Sequence, residues 1–371
     1  MRKLDTVSQW ERWIRQAVRQ RASDLHLEPE EGGWRLRLRI DGQLFRHDRV
    51  TTEAGVALVT ALKVWAGMDI GERRLPQDGR FTMTVSGVAV DVRVSTLPTL
   101  HGEKAVLRLL GRHVERFELE DLGMTPEQRA TVERWLAQME GLVLVTGPTG
   151  SGKTTTLYAM VRRLARPETN VVTLEDPVEY CLAGVNQVQV NERAGLTFAA
   201  GLRAVLRQDP DVILVGEIRD AETAAIAVRA ALTGHLVLAT VHAADASSAA
   251  TRLIDLGVEP HMVAATLSGV IAQRLVRRLC SCRRSERMAA SCARCGGVGS
   301  IGRTGVFELL DVDEELSSAI RQRWEPNGLR QLMRRKGWPT LHELLHCRSS
   351  GEGRRTDEPL EVGTGESELV G

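Results

Sequence analysis

Residues 147–154 read GPTGSGKT, which satisfies the pattern G-x-x-x-x-G-K-[ST] of a phosphate-binding loop. The surrounding residues supply the required context. An apolar run from Leu142 to Val145 predicts a strand before the loop, and TTTLYAMVRRLA predicts a helix after it. Glycines let backbone N–H groups turn toward an anion, and the helix N-terminus adds partial positive charge. The stretch therefore predicts a strand–loop–helix unit that holds a phosphate.

Each residue type in this loop suits nucleotide chemistry. Lys153 offers a compact point charge to the β- and γ-phosphates of ATP, and Thr154 offers a hydroxyl ligand to Mg²⁺. Only five of the 49 basic residues are lysine, so a lysine here stands out against the general use of arginine. A chance glycine-rich turn is the alternative interpretation. The predicted nucleotide-binding residues are Gly147, Pro148, Thr149, Gly150, Ser151, Gly152, Lys153, Thr154 and Thr155.

The chain after the loop has the pattern of a parallel sheet. Three further apolar runs alternate with segments of helical periodicity, at 171–174, 212–215 and 236–240. Short apolar strands between helices are typical of a sheet that helices cover on both faces. We therefore predict an α/β domain over 125–347, opening with a helix at 126–139. Beyond about residue 260 the pattern is helical, with a cysteine-rich insert at 280–295.

Acidic residues follow two of these predicted strands. Glu217 ends the apolar run DVILVGE, and we predict that it holds Mg²⁺ through water. Glu175, Asp176 and Glu179 follow the run VVTL, where a carboxylate can orient water for attack on the γ-phosphate. Exposed carboxylates in charged loops are the alternative. Three acids at one strand end favour the catalytic interpretation, because strand ends carry the ligand sites of open α/β sheets.

Two histidines, His235 and His242, bracket the apolar run 236–240. A neutral imidazole at a strand end can sense a γ-phosphate and relay its presence into the sheet. Each histidine taken alone is better explained as a core residue with satisfied hydrogen bonds. Together with the other elements the functional interpretation is favoured, more strongly for His242 at the C-terminal end.

The first part of the chain predicts a small α+β domain over 22–111. WRLRLRI at 34–40 alternates apolar and basic residues, which predicts a half-buried strand, and Asp41-Gly42 predicts a hairpin turn. The elements predicted to follow are a helix near 52–67, a hairpin around Ser86-Gly87 and a strand at 104–110.

Three more segments complete the predicted organisation. Residues 1–21 form an amphipathic helix with Trp10 and Trp13 on its apolar face, which we expect to pack on its own domain. Docking of that face to a partner is the alternative. We place a linker at 112–124 and a disordered tail at 348–371, because neither segment has the pattern of a core element.

Composition excludes several classes of protein. A net charge of +1 and an aromatic content of 4% disfavour nucleic acid as a partner. The sequence has no run of about 18 apolar residues and no N-terminal apolar region, so we expect neither a membrane span nor a secretory signal. We therefore expect a cytoplasmic protein of two or three domains.

Four segments together resemble the motifs of one ATPase family. GPTGSGKTTTLYA (147–159), TLEDPVEY (173–180), LRQDPDVILVGEIRD (206–220) and TGHLVLATVHAADA (233–246) occur in order. They resemble the Walker A motif, Asp box, Walker B motif and His box of the secretion-superfamily ATPases that drive type II secretion and type IV pilus assembly. ASDLHLEP, RRLPQDGRF and DVRVSTLPTLHGEKAVLRLL resemble that family's N-terminal domain. The resemblance covers about residues 22–345.

The resemblance implies a RecA-like P-loop ATPase domain preceded by a PAS-like α+β domain. It implies a homo-hexamer that hydrolyses ATP with Mg²⁺ and passes motion to an inner-membrane platform protein, so the chain would associate with the inner membrane through partners. In the family, arginines of the N-terminal domain reach the phosphates. Arg80, Arg93 and Arg108 occupy the matching stretches, although any one arginine in so arginine-rich a chain is more often a solvated surface residue.

Four cysteines, Cys280, Cys282, Cys292 and Cys295, have the character of a structural zinc site. The resemblance supports this, because the assembly and secretion branch carries a four-cysteine zinc insert here and retraction motors lack it. The C-x-C spacing of the first pair departs from the usual C-x-x-C.

The leading hypothesis is a hexameric motor for pilus or pseudopilus assembly. The alternatives are a P-loop nucleic-acid translocase, a pilus retraction motor and a scaffold that binds nucleotide without hydrolysing it. Intact catalytic motifs argue against the scaffold.

Overall fold

A computed structural model describes residues 6–111, 118–284, 292, 294–350 and 360–361. The chain divides into two compact units. The first comprises residues 1–115 and 279–302, and the second comprises 116–278 and 303–371. No helix in the described part of the chain is both long and apolar enough to cross a membrane.

The first unit is an antiparallel sheet packed against two helices. Its elements are α1 (Thr6–Arg19), β1 (Ala22–Glu30), β2 (Gly33–Ile40), β3 (Gln43–Val50), α2 (Thr52–Trp65), β4 (Gln77–Val85), β5 (Val88–Thr99) and β6 (Gly102–Gly111). The strand order is β3-β2-β1-β6-β5-β4. Alternation along β2 buries Trp34, Leu36 and Leu38 and leaves the arginines between them on the other face, as the sequence predicts.

The helix α1 packs on its own unit. Trp10 and Trp13 are 0% and 2% exposed, and both indole N–H groups donate within the unit. Trp10 Nε1 donates to Leu58 O at 2.9 Å, and Trp13 Nε1 donates to Asp48 Oδ2 at 3.0 Å. The apolar face of α1 is therefore core rather than a docking surface.

The second unit is built around a mainly parallel sheet. Its helices are α3 (Pro126–Ala137), α4 (Lys153–Leu164), α5 (Phe198–Val205), α6 (Ala221–Leu232), α7 (Ala246–Asp255), α8 (Pro260–Thr266), α9 (Glu314–Arg321), α10 (Pro326–Arg335) and α11 (Leu341–Ser350). Its strands are β7 (Gly141–Thr146), β8 (Val171–Glu175), β9 (Asn186–Gln189), β10 (Val212–Val215), β11 (Leu236–Val241), β12 (Leu267–Leu279), β13 (Ser300–Asp311) and β14 (Leu360–Glu361).

The strand order β13-β12-β7-β11-β10-β8-β9 places β7 near the middle of the sheet, with β14 paired to β12. The pairings of β7 with β11 and β12, of β10 with β11 and β8, and of β8 with β9 are parallel. Leu142 and Leu144 pack on one face of the sheet, whereas Val143 and Val145 pack on the other. Both faces are covered, so the predicted α/β fold class is confirmed.

One prediction about this unit is wrong. The segment after about residue 260 has helical periodicity, yet residues 267–279 form β12 and residues 300–311 form β13. The run LSGVIAQRLVRRL becomes a strand because it pairs along β7, with Ala272 opposite Thr146. Periodicity alone does not separate a buried strand from a helix in an apolar run, and tertiary pairing decides.

The cysteine segment lies with the first unit, which differs from its predicted place inside 125–347. The strands β12 and β13 lead into it, and its contacts explain its position. Val298 packs against the core that contains Trp10. The Asp41 carboxylate accepts hydrogen bonds from Ser300 Oγ at 2.9 Å and Gly302 N at 3.0 Å.

The other predicted boundaries fall partly outside the described residues. Of the predicted linker 112–124, residues 112–117 lie outside them, and Leu119–Asp121 form a single 3₁₀ turn. The predicted tail 348–371 begins within α11, and residues 351–359 and 362–371 lie outside the described part of the chain. Residues 1–5 of the predicted first helix also lie outside it.

We expect Trp10→Ala to lower the free energy of unfolding by about 3–5 kcal/mol, because the change removes a fully buried indole. Val7→Ala on the same helix is the matched control. The Val7 side chain is 42% exposed, so its loss should cost less than about 0.5 kcal/mol. Urea unfolding followed by circular dichroism measures both. A loss below about 1 kcal/mol for Trp10→Ala would contradict a core role for α1.

Candidate nucleotide site

The phosphate loop joins β7 to α4 at the carboxyl edge of the parallel sheet. Gly150 and Gly152 have φ values of +80° and +91°, in the left-handed region that favours glycine. A Cβ on Gly147 would lie 2.5 Å from Gln273 O and 2.6 Å from Ser151 Oγ, so no larger residue fits there. The loop is therefore shaped by glycines as the sequence predicts.

Lys153 lies over the loop at the first turn of α4. Its Nζ donates to Gly147 O at 2.7 Å and Pro148 O at 3.1 Å. Burial lowers the pKa of Lys153, the Glu217 carboxylate raises it, and the charge of Arg274 lowers it further. Thr154 is exposed beside it on the same turn. A cation and a hydroxyl thus stand together at the N-terminus of α4.

The loop that follows β11 is fastened to the phosphate loop by Thr146. The Thr146 hydroxyl donates to Ala243 O at 2.9 Å and accepts from Ala243 N at 3.0 Å. On its far side the Glu308 carboxylate accepts from Ala246 N at 3.1 Å. His242 therefore has a fixed place beside the start of the phosphate loop.

Glu217 and His242 meet at neighbouring strand ends. Glu217 Oε1 lies 2.7 Å from His242 Nε2, and its other oxygen accepts from Arg219 Nε at 2.7 Å. Glu217 is mostly buried, whereas His242 is more than half exposed. Hydrogen bonding to Glu217 raises the pKa of Arg219. The structure thus brings together two predicted site residues and adds a third, Arg219.

The three predicted acids after β8 differ in accessibility. Glu175 is 3% exposed, and its carboxylate accepts from Tyr158 Oη and Thr173 Oγ1. Asp176 and Glu179 are exposed. Glu175 is therefore enclosed by hydroxyl donors and does not face solvent, which departs from its predicted role of orienting water. Asp176 and Glu179 retain access.

His235 does not reach the site. It precedes β11 at the amino end of the strand, about 20 Å along the strand from His242. Its Nδ1 lies 2.9 Å from Ala230 O and 3.2 Å from Thr233 Oγ1, at the end of α6. In a parallel sheet the two strand ends lie on opposite edges, so the predicted catalytic role of His235 is not supported.

The three predicted arginines form one row in the first unit. Arg80 is paired in register with Arg93, and Arg93 with Arg108, on β4, β5 and β6. All three therefore lie on the same face of the sheet. Arg80 and Arg108 are exposed, and Arg108 Nε donates to Asp24 Oδ1 at 3.0 Å. The row concentrates positive charge on the polar face.

Sequence reasoning missed Gln273 and Arg274, which follow Ala272 on β12 beside the phosphate loop. Gln273 is 1% exposed, and its Nε2 donates to Ser151 O at 2.6 Å. The Arg274 guanidinium donates to Gln273 O at 3.1 Å and Ala244 O at 3.2 Å. The sequence does contain a signal for them, a polar pair within the apolar run 270–276. Its meaning depends on which strand β12 pairs with.

The four cysteines also come together, in the first unit. Their sulfurs all lie within 4.8 Å of one another, with Cys280–Cys292 at 3.9 Å and Cys282–Cys295 at 3.6 Å. Zinc–sulfur bonds of about 2.3 Å in a tetrahedron place sulfurs about 3.8 Å apart. Backbone N–H groups of Cys295 and Arg294 lower the pKa of Cys292 to about 6. The donor set therefore fits a tetrahedral thiolate-bound ion despite the C-x-C spacing.

Comparison with known protein families shows to which family the chain belongs. The family model described as "Type II/IV secretion system protein" matches residues 5–355. The chain belongs to this family. It is 51% identical over 336 residues to "Type II secretion system protein HxcR" of Pseudomonas aeruginosa, covering 89% of this chain and 71% of that protein. The resemblance seen in the motifs is confirmed.

Two further similarities bear on the fold and the subfamily. The "Type IV pilus assembly ATPase PilB" of Thermus thermophilus is 47% identical over 353 residues, which cover 89% of this chain and 40% of that protein. This chain thus spans about two fifths of the Thermus protein. The crystal structure titled "Pilus Retraction Motor PilT and Bound ADP" is 30% identical with a TM-score of 0.63, covering 91% and 92% of the two chains.

We expect Gln273→Met to weaken nucleotide binding about tenfold, because it leaves the buried Ser151 carbonyl without its donor at nearly constant volume. Titration with a fluorescent ATP analogue measures the dissociation constant. Gln322→Met is the control, since Gln322 lies exposed on the surface after α9. Unchanged affinity for Gln273→Met would mean that the loop does not depend on β12.

Proposed function

We propose that this protein is an ATP-hydrolysing motor for type II secretion or type IV pilus assembly. The observation that carries the proposal is the meeting of the phosphate loop, Glu217 and His242 at adjacent carboxyl ends of a parallel sheet. Membership of the secretion family and the names of its relatives support the same activity.

The phosphate loop binds the nucleotide. Backbone N–H groups of residues 147–154 and the N-terminus of α4 hold the phosphates. Lys153 moves its ammonium from the carbonyls of Gly147 and Pro148 onto the β- and γ-phosphates. The exchange of carbonyl partners for phosphate oxygens favours binding, because the ammonium then neutralises full negative charge.

The neighbouring strand ends carry the hydrolysis chemistry. Bound Mg²⁺ would neutralise charge on the phosphates, with Thr154 as a direct ligand and Glu217 as a ligand through water. Glu179, which is exposed, orients the attacking water. His242 holds Glu217 in place through their 2.7 Å contact and senses the γ-phosphate. Asp176 adds to the negative charge around Arg219.

The arginine row Arg80, Arg93 and Arg108 stabilises phosphoryl charge. The working form of the protein is a homo-hexamer. The expected mass in ATP is about six times the 40.9 kDa chain mass. We propose that the protein works in the cytoplasm and meets the inner membrane through a platform protein.

The cysteine cluster holds a structural zinc ion in this proposal. When bound, zinc supplies a cross-link between Cys280, Cys282, Cys292 and Cys295 and leaves no open coordination position. Gly299 N donates to Cys295 Sγ at 3.2 Å and orients that ligand. The cluster favours an assembly or secretion motor over a retraction motor, which is the second candidate because of the PilT similarity.

Lys153→Ala should lower the ATP hydrolysis rate roughly a hundredfold or more, because the phosphates lose their point charge. Lys336→Ala is the matched control, since Lys336 pairs with Asp313 and Glu315 on the surface. A phosphate-release assay measures both rates. An unchanged rate in Lys153→Ala would refute the site, and strong stimulation of the wild type by DNA would instead favour a nucleic-acid translocase.

Metal analysis of the purified protein should find about one zinc ion per chain. Cys295→Ser should lower the zinc content and Cys347→Ser should not, because Cys347 lies exposed on α11 and is not one of the four clustered cysteines. Emission spectrometry with a chelator-competition titration provides the count and the affinity. Metal-free protein of full stability would show that the four cysteines do not form a zinc site.

A further inference from the structure

Tyr158 stands where the phosphate-loop helix meets the acidic segment after β8. It lies on α4, five residues after Lys153, and its side chain is 1% exposed. Its ring makes an edge contact with Tyr180, at 4.6 Å between ring centres. A buried phenol needs hydrogen-bond partners, because an unpaired one costs about 1–3 kcal/mol.

The phenol has partners on both sides. Its O–H donates to the Glu175 carboxylate, and its oxygen accepts from the backbone N–H of Glu179 at 3.3 Å. Gln187 Nε2 also lies 3.4 Å from the phenol oxygen. The hydroxyl thus connects α4 with the end of β8 and with the backbone of Glu179.

Glu175 fixes where the phenol can lie. Its carboxylate also accepts from Thr173 Oγ1 at 2.6 Å and Gln187 Nε2 at 3.1 Å. These donors are neutral, and Thr173 is fully buried on the same strand. A carboxylate held by three donors on a sheet strand is a rigid acceptor, so it orients the phenol O–H and leaves the phenol oxygen to accept from Glu179.

The phenol keeps its proton under working conditions. Burial and the neighbouring Glu175 carboxylate raise the pKa of Tyr158 far above its ordinary value. The hydroxyl is therefore a donor to Glu175 at any pH at which the protein works.

The segment after β8 is held from its other side by Gln187 on β9. Gln187 Nε2 donates to Tyr180 O at 3.1 Å, and Gln187 Oε1 accepts from Leu182 N at 2.7 Å. Tyr158 therefore links Glu179 to the phosphate-loop helix, whereas Gln187 links the segment after β8 to the edge of the sheet.

We propose that Tyr158 is a positioning residue for ATP hydrolysis, whose hydroxyl, oriented by Glu175, fixes the backbone of Glu179 relative to the helix that begins at Lys153. The inference rests on the proposed function, because it takes Glu179 as the residue that orients the attacking water. It also gives Glu175 a role other than water activation. A carboxylate displaced by about 1 Å from its productive position loses much of its effect on the rate.

Tyr158→Phe in the full chain tests this, since it removes the hydroxyl and keeps the ring. We expect kcat to fall about tenfold, with KM and the nucleotide dissociation constant within about twofold of the wild type. Glu179→Gln should lower kcat roughly a hundredfold. The double variant should be no slower than Glu179→Gln, because Tyr158 acts through Glu179.

Several results would overturn the proposal: an unchanged kcat in Tyr158→Phe, a loss confined to KM, or losses that multiply in the double variant. If Glu179→Gln keeps the wild-type rate, the assignment of Glu179 fails, and this inference fails with it. If Lys153→Ala loses all activity while Glu179→Gln keeps the wild-type rate, the nucleotide site stands and only the assignment of Glu179 fails.

Two more variants guard against a general loss of stability. Thr266→Val removes another buried hydroxyl, which donates to Met262 O at 2.8 Å within α8, and should keep the wild-type kcat. If Tyr158→Phe does not fold, Thr173→Val loosens Glu175 instead. It should lower kcat at constant KM in the wild type and not in the Glu179→Gln background, and equal losses in both backgrounds would contradict the proposal.

Discussion

The parallel register of β8, β10, β11 and β7 determines where the chemistry of the second unit lies. Parallel strands end at one edge, so every loop that follows them opens onto the same surface. Thr146 and Val241 are register partners at that edge. The phosphate loop follows Thr146, and His242 follows Val241. Val215 is likewise paired with Leu174, so Glu217 and the acidic segment after β8 lie at the same edge. No separate device is needed to gather these residues.

Within that arrangement the phosphate loop is braced from three directions. Thr146 ties it to the loop after β11, Gln273 supports the Ser151 carbonyl from β12, and Tyr158 connects its helix to the end of β8. The hydrogen bonds from Gln273 and Tyr158 are buried and the one from Thr146 is partly buried, and buried hydrogen bonds are costly to leave unmade. Preorganised phosphate sites depend on such support, because catalysis of phosphoryl transfer is mostly positioning and electrostatics.

Much of this site was predictable from sequence, for a physical reason. The phosphate loop, Glu217 and His242 are local features, since each is a short motif directly after an apolar strand. Gln273, Arg274 and Tyr158 were not predictable, because their roles depend on which strands become neighbours. The same limit explains His235, whose distance from the site follows from strand direction, and β12, whose periodicity is helical although pairing with β7 makes it a strand. Glu175 was predicted as a site residue, but its burial was not predicted.

The most direct test of the proposed nucleotide site is a cryo-electron microscopy map of the protein with Mg²⁺ and a non-hydrolysable ATP analogue. We expect phosphate density enclosed by residues 147–154, with Lys153 Nζ on the β- and γ-phosphates. We also expect a metal ion at Thr154 with Glu217 one water away. Nucleotide density elsewhere, or a phosphate loop without nucleotide at saturating concentration, would contradict the proposed site.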